Sequence, residues 1–278
     1  CSSDLALPVE KSVPKPRSPE LPLTGPIPRH WFAGNALATH LVNGVSMLFP
    51  AGERFFVRSV NHYLGQLTDP LLRAQVKGFF AQEGRHAKEH DRWNEILVAQ
   101  GFSVDHFLAG YERLAYGVIE RISSPALRLA TTAACEHFTA LLAEKALRNR
   151  ILEHADPTMR ALLLWHAAEE IEHRAVAFDV LAQVAPSYPL RMAGLAMATA
   201  CLGTFWLFAT TMLLWQDRKT VWPKLRLHLG QIRAVRQERN LQGVFLPGIL
   251  AYLRRDFHPL QLDLDQLAAD YLLDAKLA

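Results

Sequence analysis

"WHAAEEIEH" (165–173) packs three Glu and two His into nine positions of a stretch that otherwise reads as an apolar helix. A helix that buries one face repeats apolar residues at intervals of three and four. Here those intervals carry ionisable groups. His166, Glu170 and His173 are spaced by four and then three, so they share a face. Such a face is either solvated or lines a metal site. A second stretch, "QEGRHAKEH" (82–90), has Glu83 and His86 at i and i+3, with His90 one turn further along. One Glu-x-x-His pair alone reads as a surface salt-bridge pattern. Two pairs on separate helices require more.

Two such pairs form half of the ligand set of a ferritin-like di-iron bundle, whose other two helices contribute one Glu each. The helix before each pair should therefore carry an inward Glu. Glu53 sits in "FPAGERFF" and Glu136 in "AACEHFTALLAE", beside Phe55 and Phe56 in one case and Ala133, Ala134 and Phe138 in the other. A lone carboxylate among such neighbours is costly unless a partner or a metal compensates it. The order Glu53, Glu83–His86, Glu136, Glu170–His173 leaves room for one helix and a turn per step, with an extra helix in the middle. Carboxylates bridge and neutralise two cations, and imidazoles add neutral ligands. The expected metal ligands are Glu53, Glu83, His86, Glu136, His166, Glu170 and His173. His166 is the additional third histidine, and its alternative is a core or supporting role. His90 is an alternative ligand or a donor to a carboxylate. Glu169, four residues before His173, is an alternative to Glu170, which the three-residue spacing favours. Glu89, Glu144 and Glu172 read as solvated or paired, with Glu172 pointing away from the site.

The rest of the chain is consistent with an all-α fold: a ferritin-like four-helix bundle core with additional C-terminal helices. The chain has 278 residues, enough for a sizeable core. Segments 53–67, 69–101, 123–152 and 156–186 carry the helical period. Three of them open on an N-cap followed by Pro: Asp69–Pro70, Ser124–Pro125 and Asp156–Pro157. Gly101 reads as a stop, and a further helix spans about 105–121. No stretch alternates as a strand would. Residues 1–28 hold seven of the 16 Pro and read as an extended N-terminal arm, disordered or laid over the surface, ahead of a single helical domain over 29–278. Cys1 heads this arm, a pattern shared by processed lipoprotein ends and truncated chains, so whether it is a native end stays open.

The net charge of +3 gives no argument for a nucleic-acid partner. Three Cys without a CxxC pair point away from a disulfide framework and towards a reducing, cytoplasmic compartment. Residues 192–215 carry no charge, and 218–239 then carry seven Lys or Arg against one acidic residue. That apolar helix is expected to be buried or membrane-contacting rather than spanning, because it stands alone. Contact with an anionic membrane surface is therefore a further expectation.

"LFPAGERFF", "QEGRHAKEH", "EHFTALLAE", "WHAAEEIEHRAVAFDV" and "DFHP" (256–259) together resemble the bacterial family of predicted metal-dependent hydrolases over roughly residues 30–260. That resemblance implies a ferritin-like metal-binding fold and, by its name, hydrolysis. His258 belongs to the family pattern and would cap a helix or line the pocket. The His-x-x-x-Glu-x-x-His run over 166–173 also resembles the last metal helix of di-iron arylamine N-oxygenases. The residues themselves favour a non-haem di-iron oxygenase or oxidase that activates O2 on an apolar or aromatic substrate. Two Fe ions are expected, with Mn/Fe or Zn as alternatives. No flavin or nicotinamide fingerprint is present, so electrons would come from an external donor. The alternatives are a two-metal hydrolase and a non-enzymatic metal-binding or membrane-associated bundle. A small hydrophobic substrate and a homodimer complete the expected partners.

Overall fold

The computed structural model describes residues 12–21, 23, 26–239 and 245–277. Cys1 and positions 1–11, 22, 24 and 25 of the arm lie outside the described residues. The described chain is helical, with no strand beyond a lone bridge between Phe32 and Ala155.

Short helix α1 (Ala36–Ser46) leads into α2 (Phe49–Asn61) and the long α3 (Pro70–Ala99). Next come α4 (Asp105–Leu114), which runs through a π-turn at Ala115–Ile119 into α5 (Glu120–Ile122), and then α6 (Pro125–Arg148) and α7 (Pro157–His173). The C-terminal part holds α8 (Val176–Val184), α9 (Tyr188–Gln216), α10 (Arg218–Val221), α11 (Leu225–Glu238), α12 (Phe245–Tyr252) and α13 (Asp265–Asp274). The expected caps form. Asp69 accepts from Leu71 N at 2.9 Å, Ser124 from Leu127 N at 3.2 Å and Asp156 from Thr158 N at 3.0 Å, each ahead of a Pro that needs no partner for its nitrogen. Gly101, at φ 86°, takes the left-handed turn that stops α3.

The expected single helix over 156–186 is instead two. It breaks after His173 at Arg174, whose buried guanidinium turns back to the Ile171 carbonyl at 2.6 Å and grips both oxygens of Asp265 on α13, at 2.8 and 2.7 Å. The break ends α7, and the Arg174–Asp265 pair pins α13 against it.

Helices α2, α3, α6 and α7 form the central bundle, with α9 packed on α1 and α6. At Gly194 the α9 backbone comes so close to α6 that a Cβ would lie 2.4 Å from the Ala130 carbonyl carbon. Two apolar clusters fill the bundle. One gathers Trp93, Met159, Leu162 and Trp165, the other Phe55, Phe79, Ala133 and Val176. Along α3 the ionisable stretch lies between these clusters, with Val76 and Phe79 on one side and Trp93 and Leu97 on the other. The described arm is laid over the surface: Gln75 donates to the Ser12 carbonyl at 2.9 Å, and Pro14 presses on Gly78, where a Cβ would meet its carbonyl oxygen at 2.3 Å.

Among the described residues α9 alone is long and apolar enough to cross a membrane, and only 22% of its most apolar window is buried. It is therefore not a fully buried core helix. One face packs on the bundle, while Leu207, Phe208 and Trp215 on the other are more than 60% exposed.

Candidate metal centre

Four helices converge on one buried cluster. α2 supplies Glu53, α3 supplies Glu83 and His86, α6 supplies Glu136, and α7 supplies His166, Glu170 and His173, none more than 4% exposed. Glu53, His86 and His166 make one triad whose ligand atoms lie within 4.8 Å of one another. Glu83, Glu136 and His173 make a second. Glu83 and Glu170 also group with His86, so these two carboxylates lie between the triads. Glu170 Oε1 stands 2.8 Å from His166 Nε2, 3.5 Å from His86 Nδ1 and 3.5 Å from His173 Nε2. His173 Nε2 is 3.1 Å from Glu83 and 3.2 Å from Glu136.

The outer nitrogen of each histidine is tied down. His86 Nε2 donates to Glu169 at 3.0 Å, and His173 Nδ1 donates to Gln82 Oε1 at 2.8 Å. His166 Nδ1 meets His90 Nε2 at 2.7 Å, and His90 Nδ1 meets Ser46 Oγ at 2.7 Å. One consistent proton arrangement runs His166 to His90 to Ser46, leaving a bare nitrogen of each ring aimed at the cluster. Metal-binding histidines are held in this way.

Sequence reading placed seven residues at the site, and the structure brings all seven together. Glu169 points to the outside of His86 and also accepts from the Arg17 backbone N at 3.0 Å. His90 lies behind His166 rather than in the cluster. Glu172 points away and takes both Arg17 Nη atoms, at 2.7 and 2.9 Å. Glu89 and Glu144 pair with Arg92 and Arg148. His258 lies elsewhere: it caps the turn at Pro259 and meets Asp179 at 2.8 Å. Sequence reading missed Ser46, Gln82 and Arg17, none of which carries a spacing signature.

The fit to a metal rests on what these atoms lack. Both oxygens of Glu53, Glu83 and Glu136, together with Glu170 Oε2, His86 Nδ1 and His173 Nε2, are buried without a hydrogen-bond partner. Buried carboxylates this close, with no Lys or Arg paired to them among the described residues, repel one another until a cation compensates them. Without one, burial and neighbouring Glu83 push Glu53 well above the usual carboxylate range, and burial lifts Glu136 to about 8 despite the pull of His173. Burial also opposes charge on Glu170, but His173, His166 and His86 outweigh it and hold the group well below its usual range. Burial likewise works against charge on His86 and His173, yet the surrounding carboxylates raise both well above the usual imidazole value. The donor set suits two hard or borderline divalent cations.

The fold and this cluster define an all-α bundle with a carboxylate–histidine cage able to hold a metal pair. The chain belongs to the family described as predicted metal-dependent hydrolase, whose sequence pattern it matches over residues 15–263. No curated protein and no solved structure matches it.

Proposed function

We propose that the chain is a two-metal hydrolase acting on a carbonyl-type bond of an apolar substrate. The observation that carries this reading is the cage of partnerless buried carboxylates and aimed imidazoles in a member of a metal-dependent family. Glu53, His86 and His166 would hold one cation, Glu136 and His173 the other, with Glu83 and Glu170 shared between them. A bound pair supplies a polarised substrate oxygen and a water ionised near neutral pH.

The remaining work falls to the protein. Glu169, Gln82 and His90 keep the three rings from turning. Phe79, Trp165 and Phe49 stand 5.0, 5.0 and 5.1 Å from the rings of His173, His86 and His166 and exclude bulk water from the cage. A dry cage strengthens each charge–dipole contact made to the reacting group. The His166–Glu170 side meets a cleft, so the substrate would approach from there.

A second reading, O2-dependent oxidation, is favoured by the same carboxylate-rich donor set on four helices, which suits two irons. It would need an external electron donor. Metal analysis of protein purified from its host, followed by turnover of 4-nitrophenyl esters with and without O2, separates the two. The hydrolase reading expects two metals per chain and equal turnover in both atmospheres. O2 uptake that requires a reductant, with no ester turnover, would overturn it in favour of the oxidase.

A further inference from the structure

An apolar cleft of about 150 Å³ runs from the protein surface to the cage. Its mouth lies between Leu41 of α1 and Trp206 of α9, its walls include Val45, Leu142 and Leu163, and its inner end is His166 and Glu170. The other groups along it have little left for a polar ligand. Thr139 lines the wall, but its hydroxyl donates to the Glu136 carbonyl at 3.0 Å. At the mouth, Trp206 Nε1 donates to the Leu41 carbonyl at 2.8 Å. A polar or charged tail placed here would give up water and gain no partner, whereas an apolar tail gains by leaving water. Leu41, which lines the cleft at the surface, is itself exposed and apolar.

We propose that this cleft binds the apolar part of the substrate, an uncharged alkyl or aryl group of about six carbons, with the reacting polar group at His166 and Glu170. The size follows from volume, since an apolar cavity of about 150 Å³ holds a benzene ring. A second apolar cavity of about 110 Å³ shares Val45, Phe49, Thr139 and Leu142 as a common wall. The assignment of head and tail rests on the metal-centred reading above, but the apolar binding site itself does not.

The test therefore uses neutral probes without a metal-binding atom: benzene, toluene, propylbenzene and hexylbenzene, added to the full-length protein as purified. The readout is the chemical shift of the Trp206 indole N–H, assigned by its loss in Trp206→Phe. Benzene and toluene should saturate this shift and hexylbenzene should not. Ala143→Leu, which narrows the cleft, should weaken toluene binding at least tenfold. Leu163→Ala, which widens it, should tighten propylbenzene binding and keeps the test open if Ala143→Leu fails to fold. Absence of a saturable shift in the folded wild-type protein, or probe affinities that neither variant alters, would overturn the proposal. Probe binding in a protein that turns over no ester leaves the cleft standing and counts against the reaction instead.

Discussion

Among the described residues, two groups of His and acidic residues have the close spacing of a metal triad, and they differ in what their atoms already possess. His30, His40 and Asp217 come within 4.8 Å of one another, as the cage residues do. Asp217, however, already has its donors: His30 at 2.6 Å, His40 at 2.9 Å and the Arg29 guanidinium at 3.4 Å. A cation placed there would have to displace a guanidinium that already neutralises the carboxylate. In the cage, Glu53, Glu83 and Glu136 have no hydrogen-bond partner for either oxygen. Proximity of ligating side chains is therefore a weak indicator, and unsatisfied buried charge is a strong one. The first group is a clasp that joins the end of α9 to α1 and the segment before it. The second is a site awaiting charge.

The largest effects should come from the cage. Glu136→Ala or Glu170→Ala should lose at least one metal per chain and nearly all turnover, whereas Asp217→Ala should keep the wild-type metal content. Elemental analysis of the three purified variants checks this. Retention of both metals by either cage variant would break the comparison. Gln82→Leu should come next. It frees the outer nitrogen of His173, and loss of such a support typically weakens metal binding about 10- to 100-fold. Competition with a chromophoric chelator reads that change, and an unaltered affinity would mean that His173 needs no support.

Arg17→Ala should act less strongly, because it keeps the backbone N–H that Glu169 accepts and removes only the guanidinium, which stands 3.5 Å from Glu169 and holds Glu172, itself an acceptor from Gln82 at 2.8 Å. The expected outcome is a few-fold faster metal release with an unchanged metal count. This contact also shows what the sequence could and could not reveal. Glu83–His86 and Glu170–His173 were legible because the helical period alone puts i and i+3 on one face. Glu53 and Glu136 were legible as lone carboxylates among apolar neighbours. Arg17 lies 152 residues from Glu169 in the chain, and only folding of the arm over α3 and α7 brings them together. Gln82 and Ser46 are ordinary polar residues whose roles depend on which ring nitrogen faces them. The break after His173 was hidden because Arg174, Asp265 and the Ile171 carbonyl meet only in the packed structure. Local periodicity carries information about ligands, whereas supports and bends belong to tertiary packing.

The smallest effect should come from the clasp, and its pH dependence sharpens the contrast with the cage. Burial alone would raise Asp217, but hydrogen bonds from His40 and His30 and the charge of Arg29 prevail and bring it from 3.8 down to about 2. A carboxyl lowered on folding binds more protons when unfolded, so its stabilisation is present above about pH 4 and fades as pH falls towards 2. Burial lowers His40 despite Asp217, so its neutral form is the folded one, and its contribution too increases with pH, being lost as pH falls through the lowered folded value. Asp217→Asn should therefore cost about 2 kcal/mol near neutrality, the scale of hydrogen bonds to a charged group. The Tm gap between wild type and Asp217→Asn, followed by circular dichroism from pH 6 to pH 2, should narrow progressively below pH 4 while metal content at neutral pH stays the same. A gap that stays constant down to pH 2 would show that the clasp holds by packing rather than by the Asp217 charge.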